Sequence, residues 1–145
     1  MLSLWKVAAL GLVLGSTAMP SFAVEAVGRN DPLRKVLLDA VRPSIQDELG
    51  QRVQFVVEVL QVEDGWAFLA GSIQNPDGSP IDFSRTPYAE AEAEGMFDGP
   101  SVRAVLYEYG AGWAMEAYSI GATDVVEAGW PDETGVPCHV VNACY

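Results

Sequence analysis

The pattern G-W-A-x-x-A-x-S-I occurs twice, at Gly65 to Ile73 and at Gly112 to Ile120, an offset of 47 residues. Each copy follows an apolar pair (Val59-Leu60, then Val105-Leu106) and a polar, glycine-containing turn. An apolar run, a tight turn and a second run opened by Trp read as a β-hairpin, because Val and aromatic residues suit a half-buried pleated surface. Two such hairpins, over 52–73 and 102–120, predict an antiparallel sheet of about four strands. A chain of 145 residues has room for one domain built on it. The recurrence reads either as duplication of an α-β-β unit or as two hairpins converging on one way of starting a strand.

The first 23 residues have the features of an export signal. Met1 to Lys6 supplies a positive charge, Val7 to Gly15 is an apolar run, and Ser21-Phe22-Ala23 ends a small, polar stretch. The run is too short to span a bilayer. Cleavage near Ala23 is expected, which implies a periplasmic or secreted location and no membrane attachment afterwards. A retained anchor helix is the alternative. Cleavage removes one lysine and no acid, so the mature chain is one unit more negative than the −12 of the full sequence. That charge disfavours nucleic acid and anionic membranes, both of which are bound through Lys and Arg.

Residues 24–30 form a lead-in without periodicity. A single α+β domain is expected over 31–145. Asp31-Pro32 opens a helix over 31–49, with Asp31 as cap and Pro32 where its missing N–H costs nothing. Leu33, Val36, Leu37, Ala40, Val41, Ile45 and Leu49 recur at spacings of three and four, as on an amphipathic helix, and Gly50 closes it. Pro43 is expected to bend or interrupt it. In the first strand, Val53, Phe55, Val57 and Val59 are expected on one face and Gln54, Val56, Glu58 and Leu60 on the other. Thr86-Pro87 repeats the cap-plus-proline start and predicts a short acidic helix over 87–95. Residues 121–145 read as an irregular tail pinned by Trp130 and Val125-Val126.

A helix followed by an antiparallel sheet resembles the cystatin-like and NTF2-like α+β folds, in which a long helix packs across a curved sheet. Several stretches also resemble an uncharacterised family of bacterial exported proteins. They are Asp31-Pro32-Leu33-Arg34-Lys35-Val36-Leu37-Leu38-Asp39-Ala40-Val41-Arg42-Pro43, Gly65-Trp66-Ala67-Phe68, Pro76-Asp77-Gly78, Gly95-Met96-Phe97-Asp98-Gly99 and Ile120-Gly121-Ala122-Thr123-Asp124-Val125. The resemblance implies the fold and brings no activity. The tail from Cys138 to Cys144 departs from the family pattern.

Cys138 and Cys144 are read as an intramolecular disulfide stapling the tail; two free thiols or an intermolecular bridge are the alternatives. His139, the single histidine, could join them as a third zinc ligand. A structural zinc site needs four, and adjacent ligands are hard to aim at one ion, so no metal is expected. No nucleotide or cofactor motif is present, so no cofactor is expected. Glu90, Glu92 and Glu94 spread around a helix and do not converge. Asp124, just past a strand end, is the candidate cavity carboxylate if the chain is an NTF2-like enzyme; a turn cap is the plainer reading. Trp66, Phe68, Tyr107, Trp113 and Tyr118 are the candidate lining of an apolar pocket, with core filling as the alternative. The leading expectation is non-enzymatic binding of a small apolar molecule or a protein partner. An NTF2-like enzyme and a protein-interaction or inhibitory module are the alternatives. The mixed polarity of the first strand would also fit a homodimer through the outer sheet face.

Overall fold

The structure, a computed structural model, describes residues 23–145, so the expected signal segment lies outside it except for Ala23. The chain runs β1 (Glu25–Ala26), α1 (Pro32–Leu49), β2 (Gln54–Glu63), β3 (Trp66–Gln74), α2 (Ala89–Ala93), β4 (Ser101–Tyr109), β5 (Gly112–Ile120) and α3 (Trp130–Thr134). The fold is α+β with an antiparallel sheet of five strands in the order β1-β2-β3-β4-β5. The strand beyond the expected four is β1, which lies in the lead-in and pairs Glu25 with Val62 and Ala26 with Gln61. Two residues are too few for alternation to register in the sequence.

Helix α1 starts and ends as its sequence dictates. The Asp31 side chain accepts from the Leu33 amide at 2.9 Å, and Gly50, at φ 63°, donates to the Gln46 carbonyl. Pro43 does not interrupt it. Pro43 is exposed and its missing donor concerns the carbonyl of exposed Asp39, where water can substitute. The buried stripe Leu37, Val41, Ile45 and Leu49 shares one core with Leu60, Leu69, Ile73, Val102, Leu106 and Ile120.

Two bulges correct the expected face assignment. Val57 pairs with Gly71 and Val59 with Ala70, leaving Glu58 as the extra residue. Phe55, Val57 and Val62 therefore join Leu60 on the helix side, while Val59 turns to the opposite side. Strict alternation had put Val59 with Val57 and Leu60 opposite, but one inserted residue exchanges the faces beyond it. The bulge brings Gly71 so near the Val56 carbonyl that a Cβ there would lie 2.2 Å from its oxygen. A second bulge at Glu116 lies between Met115 and Ala117, which pair with Leu106 and Val105.

The turns also place the repeated motif differently. Asp64 (φ 47°) and Gly65 (φ 79°) are both left-handed, as a type I′ hairpin requires, and Trp66 follows at once. In the second hairpin Gly110 (φ 58°) and Ala111 form the turn, so Gly112 is already in the strand and Trp113 is one position further on. That single step turns Trp66 to one face of the sheet and Trp113 to the other.

The tail is a third layer. Trp130, Val136, Val140, Val141 and Ala143 form a second core with Phe68, Ala70 and Val105 on the face away from α1. Trp130 meets Phe68 edge-on at 6.4 Å between ring centroids. Val126 packs here, but Val125 is exposed and takes no part in pinning the tail. The short second helix is only Ala89–Ala93. Thr86 does not cap it; its hydroxyl donates to the Phe83 carbonyl and accepts from the Tyr88 amide, closing the 3-10 turn Phe83–Arg85.

Two substitutions test this account. Gly71→Ala should cost about 1–3 kcal/mol, because backbone must move to admit the methyl group. Trp130→Ala should cost about 3–5 kcal/mol, as for a core aromatic. Urea unfolding measures both, and a Trp130→Ala protein as stable as the parent would mean that the tail is not part of the core.

Candidate functional site

Glu48 and Glu63 sit apart from the solvated acidic surface, as does Glu127, which pairs with Arg103 at 3.2 Å. Glu48, near the end of α1, takes the Tyr88 hydroxyl on Oε1 at 2.5 Å and the Tyr118 hydroxyl on Oε2. Tyr88 stacks on Phe97, which meets Phe83 edge-on. Gly121 makes room for the Phe97 ring, since a Cβ would lie 1.9 Å from it. Burial, followed by the bond to Glu48, raises the Tyr88 hydroxyl well above the ordinary tyrosine range. The bond to Glu48, followed by burial, pushes Tyr118 up to about 12. With both oxygens taken by donors, Glu48 is a brace tying the 83–97 segment to α1 and β5.

Glu63 is the opposite case. It ends β2, its side chain is 5% exposed, and no side chain other than His139 reaches its oxygens among the described residues. His139 lies beside it, half exposed, with Nε2 2.5 Å from Oε2, an ion-pairing distance. The tail brings this histidine in. Gln61 is on the same face of β2 as Glu63, and its amide donates to the Val140 carbonyl at 2.6 Å. The loop it grips is closed by the Cys138–Cys144 disulfide, with Cα atoms 4.9 Å apart, and by the Ala143 amide donating to the Cys138 carbonyl. His139 rides on that loop above Glu63.

Glu63 lines two clefts. One, of about 480 Å³, is bordered by Glu25, Asp64 and Glu108 and by the apolar Leu33, Val62 and Trp113. The other, of about 210 Å³, lies between Glu63, Asp64, Pro137 and His139. An aromatic ledge extends from Glu63 across the tail-side face. Glu63 pairs with Trp66, and Trp66 with Tyr107, their ring centroids 4.6 Å apart. Tyr107 meets Tyr109 at 5.0 Å. Exposed Tyr109 donates to Glu116 at 2.8 Å, and that bond raises its hydroxyl above the usual range.

The structure thus divides the expected pocket residues. Trp66, Phe68 and Tyr107 belong to the tail side of the sheet, with Phe68 sealed under Trp130. Trp113 and Tyr118 belong to the helix side. Asp124 is exposed in the turn after β5. Glu63 is not among the residues the sequence singles out, and His139 stands out there only as a third zinc ligand beside the cysteines. Glu63 follows Val59 and Gln61 along one face, but nothing in the sequence says that the tail covers that face. No protein-family model matches the chain, and neither a curated protein nor a solved structure matches it.

The Glu48 brace has a pH consequence. Tyrosines of the unfolded chain ionise near pH 10. The raised folded values make the stabilisation by Tyr88 and Tyr118 complete below about pH 10 and progressively lost as pH rises toward 12. Tyrosinate absorbance should show these two hydroxyls among the last to ionise. Glu48→Gln should bring them closer to the ordinary value; an unchanged titration would mean that Glu48 does not hold them.

Proposed function

We propose that the chain is an exported, non-enzymatic binding domain. Its β2–β3 hairpin end receives a basic side chain of a protein partner, set beside an apolar residue. The observation that carries this reading is Glu63, a buried carboxylate reached by no side chain other than His139 among the described residues, at the border of two clefts. A buried carboxylate with one half-exposed partner is under-satisfied, and a partner's cation at the site offsets that cost. The Trp66–Tyr107–Tyr109 ledge gives a guanidinium aromatic faces to lie on. Asp64 and Glu108 at the larger cleft and the net charge of −12 favour the approach of a basic partner.

Export is supported by the signal-like residues 1–23 and is compatible with the disulfide. None of the helices in the described residues is long and apolar enough to cross a membrane. The cystatin-like or NTF2-like resemblance is supported by an 18-residue helix sharing a core with one face of an antiparallel sheet. A second reading, an NTF2-like enzyme with a cavity carboxylate, now rests on the Glu63–His139 pair and no longer on exposed Asp124. A homodimer through β2 is supported by Val56, which stays exposed where the tail, packed against Val59, does not reach.

A capped peptide with two arginines flanked by leucines is a direct probe. Titrated into the isotope-labelled oxidised protein, it should shift the amide signals of Glu63 to Trp66, Tyr107 and His139, with affinity falling as salt rises. Glu63→Gln, or citrulline in place of arginine, should weaken binding by about tenfold or more, equivalent to about 1.4 kcal/mol. Equal binding by the Gln variant and the citrulline peptide would refute a cation site at Glu63.

A further inference from the structure

The two edges of the sheet are finished differently. On one, β1 covers the end of β2, and the Val27 amide donates to the Leu60 carbonyl. On the other, β5 runs nine residues from Gly112 to Ile120 and pairs only with β4. Natural edge strands are blunted by shortness, by Lys or Pro, or by a bulge. Of these devices β5 has the bulge at Glu116, and it carries no Lys or Pro. Before that bulge the ladder fixes which backbone groups point outward. The Glu108 amide donates to the Gly65 carbonyl on the β3 side, so Tyr109 faces β5, where it pairs with Gly112 across the turn. Alternation then turns the N–H and C=O groups of Trp113 and Met115 away from β4. No group among the described residues bonds them.

The two faces beside this edge differ in chemistry. Trp113 and Met115 lie on the helix side, packed against its core and partly exposed. Tyr109 and Glu116 lie on the tail side, both exposed and joined by a hydrogen bond. A chain laid along the edge sends alternate side chains to the two faces. Apolar ones meet Trp113 and Met115, and basic ones meet the Glu116 carboxylate and the Tyr109 ring. We propose that β5 is a docking edge, to which an extended segment of a protein partner, alternating basic and apolar residues, adds as a further antiparallel strand. A second copy of β5 does not fit this edge, because it has no Lys or Arg to set against Glu116. The residues opposite Trp113 and Met115 exchange N–H···O=C bonds with them and share their face. The amides aimed at β5 are therefore those of the partner's apolar residues.

This edge needs neither Glu63 nor His139, so the cation site there and the strand site here can fail separately. The probe is a capped peptide of about eight residues alternating arginine and valine, with two counterparts, one N-methylated on its valines and one on its arginines. All three keep the charge, and only the first counterpart loses the amides aimed at β5. Titrated into the isotope-labelled protein, the parent peptide should slow amide exchange at Trp113 and Met115 by about tenfold or more. The valine-methylated peptide should bind about tenfold or more weakly than the arginine-methylated one. Equal affinities for the two counterparts would overturn the inference, and so would the absence of binding at millimolar peptide. Shifts confined to Glu63 to Trp66, with exchange at Trp113 and Met115 unchanged at saturation, would overturn it too and leave the Glu63 site standing.

Discussion

β3 is apolar on both faces and β4 adds Val105 to the outer one, and that constraint shapes the rest of the molecule. Ala67, Leu69 and Ile73 look toward α1 while Phe68 and Ala70 look away from it; Val102, Ala104 and Leu106 are likewise opposed by Val105. A sheet of this kind needs two covers, because either face left bare would expose a contiguous apolar patch. Helix α1 supplies one and residues 126–143 supply the other. The second cover has little regular structure of its own. It is held by what it buries, chiefly Trp130 and the valines at 136, 140 and 141, and by the disulfide that closes its last turn.

The candidate site lies where this cover reaches the hairpin end. Gln61 and Glu63 face the tail from β2; Gln61 grips the loop backbone and Glu63 lies under His139. The two carboxylates differ in what their surroundings supply. Glu48 is given two hydroxyl donors and becomes structural. Glu63 is reached by a single, half-exposed imidazole.

Much of the scaffold was legible in the residues because its signals are local. Asp31-Pro32, the apolar spacing from Leu33 to Leu49 and Gly50 defined α1, and Asp64-Gly65 between apolar runs defined the first hairpin. Two cysteines in a chain expected to be exported allowed the Cys138–Cys144 disulfide to be expected, and the structure has it. What escaped depended on contacts between distant segments. The bulge at Glu58 is enforced by pairing with β3, and alternation alone sent Val59 and Leu60 to the wrong faces. The identical motif around Trp66 and Trp113 concealed a one-residue difference in turn position, so residues expected to share a pocket lie on opposite faces. Glu63 and His139 meet across 76 positions of sequence, and only the covered outer face explains why.

The claim beneath all of this is that the tail is a packed layer holding His139 over Glu63. Native-state amide hydrogen exchange at Val140 and Ala143, which donate to the carbonyls of Pro137 and Cys138, tests it most directly. A packed layer predicts protection approaching that of the central strands, because these amides open only when the second core opens. Exchange at the rate of an unstructured chain, with β3 and β4 still protected, would contradict the account and leave Glu63 on an open face.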